Sequence, residues 1–159
     1  MDLQLAAEPS FQNVYIAPGS LASKVDKTIP ALADSHQSLA AIEDTYPGAV
    51  SEACLIDLDT GRELARVVRG KAASASDLSL DEPGAVFFTP TSEQPVGVPY
   101  QSLPYVSPDT KLWVIATATP VEVIGKAEAL VHFEVSIESL RQARVAADAG
   151  PHIRVVDRC

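Results

Sequence analysis

The hydrophobic period changes at Pro47–Gly48, and that change decides which folds are open to this chain. Before it, Leu21, Val25, Ile29, Leu32, Leu39, Ile42 and Tyr46 recur at intervals of four, four, three, seven, three and four residues. That spacing sets them on one helical stripe. Lys24, Asp26, Lys27, Asp34, Gln37 and Glu43 fill the other side. Pro30 interrupts the pattern. A proline costs about 3 kcal/mol inside a helix and little in a first turn. The sequence therefore predicts either a kinked long helix or a break near Thr28, with the better helix running from Pro30 to about Asp44. Residues 1–20, with Pro9 and Pro18, read as an irregular or partly helical lead-in.

After Pro47–Gly48 the period is two. Ser51 to Leu58 and Arg62 to Val68 read as strands joined at Asp59-Thr60-Gly61, a turn that suits a hairpin. Residues 70–84 are small and polar and read as a loop with one short turn of helix. Phe87-Phe88 is a short apolar piece. Val96 to Ser107 is β-rich, and Pro99 and Pro104 assign it to an edge or to positions beside bulges. Lys111 to Thr119 is the clearest strand, and Glu128 to Ser136 is the last full one. Ile137 to Asp148 follows as a helix, with Ser136 as its N-cap and Glu138 in its first turn. Strands joined by short turns pair antiparallel. The expectation is an α+β, PAS-like fold: an antiparallel sheet of about five strands with a long N-terminal helix packed on one face.

The segment LIDLDTGRELARVV resembles the first hairpin of the extracytoplasmic Cache domains of bacterial receptors. PYQSLPYVSPDTKLWVIATATPV followed by ALVHFEVSIESLR is similar to the Cache order of a Pro-Tyr strand, an Asp-containing turn, a small-residue strand, Pro-Val, a loop and a closing strand. The resemblance covers about Leu21 to Arg144. It implies a ligand-sensing module that catalyses nothing and uses no cofactor. It also implies transmembrane segments on either side and an output through a histidine kinase, a diguanylate cyclase or phosphodiesterase, or a chemoreceptor. Many such domains are double. His152 to Asp157 resembles the opening strand of a second module, so residues 21–148 would be the membrane-distal one and 149–159 a linker or the start of the next. The amino-acid-binding pattern of the family carries an Arg ahead of the Pro-Tyr strand. Here no Arg lies between Gly70 and Pro104.

The bulk numbers agree with one domain. The chain has 159 residues and is 47% apolar, enough for one real core. Its net charge of −9 repels phosphate backbones and argues against nucleic acid as a partner. No window reaches the ~18 apolar residues of a membrane span. The first ten residues lack the basic and apolar regions of a signal peptide. Two readings follow: a cytosolic protein, or a soluble piece of a membrane-anchored receptor. The strand-like ending favours the second. The two cysteines do not identify a redox compartment. Cys54 reads as a small hydrophobe in a strand, and its pairing with Cys159 stays open.

The chemistry-bearing motifs are few. His132-Phe133-Glu134 matches the H-x-E of zinc deaminases, but the P-C-x-x-C partner is absent, and the motif reads as a polar strand face. Asp57-x-Asp59-x-Gly61 lacks the remaining acids of a calcium loop and reads as a turn. No phosphate loop, nucleophile elbow or histidine metal set is present. The remaining candidates for binding a small ligand are Phe88, Tyr100, Tyr105, Asp109, Trp113 and Thr117. Arg66 could neutralise a carboxylate. Family analogy sets Tyr105 and Asp109 near the ligand. Strand alternation separates Trp113, Ile115 and Thr117 from Leu112, Val114, Ala116 and Ala118. The small residues of the second set are expected to lie under a helix, and Trp113 and Thr117 to face the pocket. Two other functions stay open: a structural module that dimerises through the stripe from Leu21 to Tyr46, and a cytosolic enzyme of unrecognised chemistry.

Overall fold

The structure, a computed structural model, describes residues 8–148. The expected strand at His152 to Asp157, the boundary within 149–159 and Cys159 lie outside the described residues. Among the described residues, three helices precede the sheet. α1 (Pro9–Ile16) and α3 (Pro30–Thr45) each hold a proline in the first turn, where its missing N–H breaks no helical hydrogen bond. α2 (Leu21–Asp26) is capped by Ser20, whose hydroxyl accepts the Ser23 N–H at 3.3 Å. Between α2 and α3, Thr28 takes a φ of 46°. This is the break expected near Thr28, so the long N-terminal helix is two.

The sheet is antiparallel and has seven strands. Four are long: β1 (Val50–Asp57), β2 (Glu63–Val68), β6 (Trp113–Val123) and β7 (Lys126–Ser136). Three have two residues each: β3 (Lys71–Ala72), β4 (Tyr100–Gln101) and β5 (Tyr105–Val106). The order is β3-β2-β1-β7-β6-β4, and β5 also pairs with β6. The count exceeds five because the segment from Val96 to Ser107 divides into two edge pieces around Pro104 and the polar loop adds β3. Pro120 lies inside β6. Its carbonyl accepts the Gly97 N–H at 3.3 Å on the side away from β7. In a strand the N and C=O of one residue point the same way, so its absent N–H costs the β6–β7 ladder nothing.

Phe88 opens the short helix α4 (Phe88–Ser92) with Phe87 as its N-cap, and a 3-10 turn spans Ala75–Asp77. α5 (Ile137–Asp148) begins at the residue after β7 ends, and the Ser136 hydroxyl accepts the Ser139 N–H at 3.4 Å.

The two sheet faces bury different partners. On one, Phe11, Val14, Leu32, Leu39 and Ile42 of the helices meet Ala53, Leu55, Val67, Val131 and Phe133. Leu21 and Ile29 pack against the same core. Leu21, Val25, Ile29, Leu32, Leu39 and Ile42 of the stripe expected to pair with a second copy thus pack on the chain's own sheet. On the other face, Cys54, Ile56, Ala116, Ala118 and Leu130 lie under Phe87, Phe88, Tyr100 and Tyr105. This exchanges the faces expected for β6. Ala116 and Ala118 pair with Glu134 and His132, while Thr117 pairs with Phe133 on the helix side. The alternation is as expected. The small residues lie under loop aromatics and the short α4, not under the N-terminal helices.

Candidate functional site

A cavity of about 290 Å³ opens between the second face and the loops that cover it. Its floor comes from the middle strands. Glu52 and Cys54 alternate on β1, and His132 and Glu134 alternate on β7. Cys54 stands directly opposite His132, and Glu52 opposite Glu134. β2 contributes Glu63 and Arg66. Simple alternation would oppose these two, but the register slips between Leu55 and Ile56. The slip sends Leu64, Ala65 and Val67 to the helix core and brings Glu63 within 3.6 Å of the Arg66 guanidinium.

Loops make the roof. Phe87 stacks on His132, Tyr105 and Asp109 come from β5 and the turn after it, and Glu82 lies on the rim. Glu52, Glu63, Glu82, Asp109 and Glu134 all line the space. The nearest cation is Arg66, whose Nη1 lies 3.8 Å from Asp109 Oδ1 and whose Nη2 donates to the Asp77 carbonyl.

These carboxylates are under electrostatic pressure. Burial pushes Glu52 up to about 7, with the charge of Asp109 adding to it. Glu63 is raised by burial against the Ser79 N–H, which donates to it at 2.7 Å. Glu134 is raised by burial against the Tyr105 hydroxyl, which donates to it at 2.6 Å. Burial holds His132 neutral, down at about 3, and pushes the Cys54 thiol well up. The Cys54 thiol donates to Glu52 Oε1 at 3.3 Å. Glu52 Oε2 and His132 Nε2 are buried with no hydrogen-bond partner. Buried polar atoms are normally satisfied, so such atoms in a cavity mark places for a ligand.

Of the seven candidates read from the sequence, Tyr105 and Asp109 line the cavity and Arg66 adjoins it through Glu63 and Asp109. Phe88 and Tyr100 belong to the apolar wall. Trp113 is 60% exposed, and Thr117 lies on the helix face, so the expectation that they face the pocket is corrected. Four floor residues were not among the candidates: Glu52, Glu63, His132 and Glu134. On β7 the signal was His132 and Glu134 alternating with the apolar Val131, Phe133 and Val135; Glu52 and Glu63 carried no such pattern. At Asp57-x-Asp59-x-Gly61 the Asp57 carboxylate accepts the Thr60 N–H at 2.9 Å, the side-chain turn expected there.

No family model and no curated protein matches the chain. Solved structures do. The extracellular domain of the histidine kinase vpHK1S-Z8 aligns over 88% of this chain and 50% of its own, with a TM-score of 0.67 and 12% identity. A domain of a sensory box/GGDEF family protein from Vibrio parahaemolyticus aligns over 90% and 64%, with a TM-score of 0.61 and 11% identity. The ligand-binding domain of the Campylobacter jejuni chemoreceptor Tlp3, in complex with L-norvaline, aligns over 84% and 50%, with a TM-score of 0.59 and 13% identity. The chain thus spans about half to two thirds of the length of these structures. This chain shares its α+β, PAS-like fold with these three domains.

Proposed function

We propose that this chain is the small-molecule-sensing module of a bacterial transmembrane receptor and that its ligand carries positive charge into the cavity under Phe87 and Tyr105. The observation that carries this is the lining. Five carboxylates face one space with no lysine or arginine among them, and a buried Glu52 oxygen has no partner. A cation there would relieve the repulsion and satisfy the orphaned oxygen. A ligand whose only charge is a carboxylate meets the opposite field. The shared fold of extracellular sensor domains supports the receptor setting. No described helix is long and apolar enough to cross a membrane. The sensing module then runs from α1 to α5, since Phe11 and Val14 of α1 are buried in its core. The thiol beside Glu52 is Cys54, which burial holds protonated and thus a weak nucleophile, so binding rather than catalysis is the reading we favour.

A thermal-shift panel of divalent cations, organic amines, amino acids and carboxylates tests the proposal. One ligand per site at a hundred times its Kd stabilises by about 2.7 kcal/mol. Saturable stabilisation confined to cationic compounds, and weakened by Glu134→Gln, is the expected result. Stabilisation by carboxylates alone, or by nothing in the panel, would overturn it.

A further inference from the structure

On the reading that the cavity takes a cation, we propose that Glu52, Cys54 and Glu63 form a three-ligand site for one thiophilic divalent cation of the zinc class. One ligand atom from each of the three lies within 4.8 Å of the other two, and all three residues are buried. Two carboxylate oxygens and a thiolate suit a borderline-soft ion such as Zn²⁺ or Cd²⁺ better than Mg²⁺ or Ca²⁺, which prefer oxygen alone. The ligands come from two neighbouring strands, and the β2 register slip turns Glu63 into the set. No motif spacing along the chain could have announced it.

A second observation points to the same place. Glu52 is 2% exposed, lines the cavity, and its Oε2 has no partner. His132 is 3% exposed, lines the same cavity, and its Nε2 has none either. His132 stands directly across the ladder from Cys54, where facing side chains are about 5 Å apart at Cβ. The thiol hydrogen now lies between Cys54 Sγ and Glu52 Oε1. Metal binding displaces that proton to solvent and leaves a thiolate on the ion. Arg66 keeps Asp109 and the Asp77 carbonyl as partners when Glu63 turns to the metal. The remaining coordination position opens to the cavity, as in sites that also accept a small molecule.

The test uses the full chain with Cys159→Ser, so that Cys54 is the one thiol left, under a phosphine reductant. Cd²⁺ titration should raise a thiolate-to-metal charge-transfer band that saturates at one ion per chain, with a proton released into weak buffer. Glu52→Gln and Glu63→Gln, which keep the thiol, should each weaken Zn²⁺ competition for that band on the order of tenfold or more. No band at one equivalent, or a band indifferent to both glutamine variants, overturns the metal site. If organic amines stabilise the protein while Zn²⁺ and Cd²⁺ do not, the sensing proposal stands and the metal site falls. If no cation of either kind binds, both fall.

Discussion

The Phe87 ring lies flat on the His132 imidazole, with centroids 3.7 Å apart and planes 9° apart. The lid of the cavity thus rests on a buried histidine held neutral, with its pKa lowered by burial to about 3. In the unfolded chain the imidazole titrates near its ordinary 6.5. Between these values the unfolded state binds more protons, so this group's contribution to stability is present above about pH 6.5 and drains away as pH falls toward 3. The slope is at most one proton, about 1.4 kcal/mol per pH unit. His132→Leu should flatten the acid limb of the stability profile in urea melts. Equal acid limbs in variant and parent would show that His132 does not set it.

Glu52 acts in the opposite direction. Burial raises its pKa from 4.5 to about 7, so between these values the folded state binds more protons. Its carboxylate therefore costs stability as pH rises through that window, and the cost is complete above it. Glu52→Gln should raise the Tm of the metal-free protein above pH 7 and leave it nearly unchanged at pH 4. Melts in chelator across that range check this. A variant less stable than the parent at alkaline pH would contradict the sign.

Gly61 closes the β1–β2 hairpin with a φ of 69°, and a Cβ there would stand 2.4 Å from Pro83 Cδ. Pro83 has little room to yield, because the neighbouring Glu82 N–H donates to the Gly61 carbonyl at 2.9 Å. Gly61→Ala should cost about 1–3 kcal/mol in denaturant midpoint. It should also weaken ligand binding, since Glu82 forms part of the cavity rim. A midpoint shift within error would mean that the hairpin tip and this loop are not clasped.

The exchange of faces on β6 makes a pair of variants informative. Trp113 is 60% exposed and Leu39 is fully buried against the sheet. Trp113→Ala should change stability by no more than about 0.5 kcal/mol. Leu39→Ala should cost about 2–5 kcal/mol. Ligand stabilisation should survive Trp113→Ala unchanged. A Trp113 variant that folds normally but loses binding would return that residue to the pocket.

The sequence was readable wherever one residue pattern had one physical meaning. The stripe from Leu21 to Ile42 needed an apolar face, Pro30 fits a first turn, and Ser136 begins a helix; each stands where expected. β6 was legible in its alternation and illegible in its facing. Ala116 and Ala118 suit a close-packed helix as well as they suit the underside of Phe87 and Tyr100, and only the pairing with β7 decides. The cavity floor was hidden for another reason. Glu52, Glu63 and Glu134 look like solvated strand residues until the loop from Glu82 to Phe87 covers them. Glu63 also needs a register slip that alternation alone would not supply. Tyr105 and Asp109, which line the cavity, were singled out because they lie in the segment that resembles the Cache pattern.

β7 runs into α5 with no residue between them: Ser136 ends the strand and Ile137 starts the helix. His132 and Glu134 are on that same strand, with the joint just beyond them. The strand and helix therefore form a single lever with the cavity near its elbow. A twist of β7 would carry the first turn of α5 with it, because no residue lies between them.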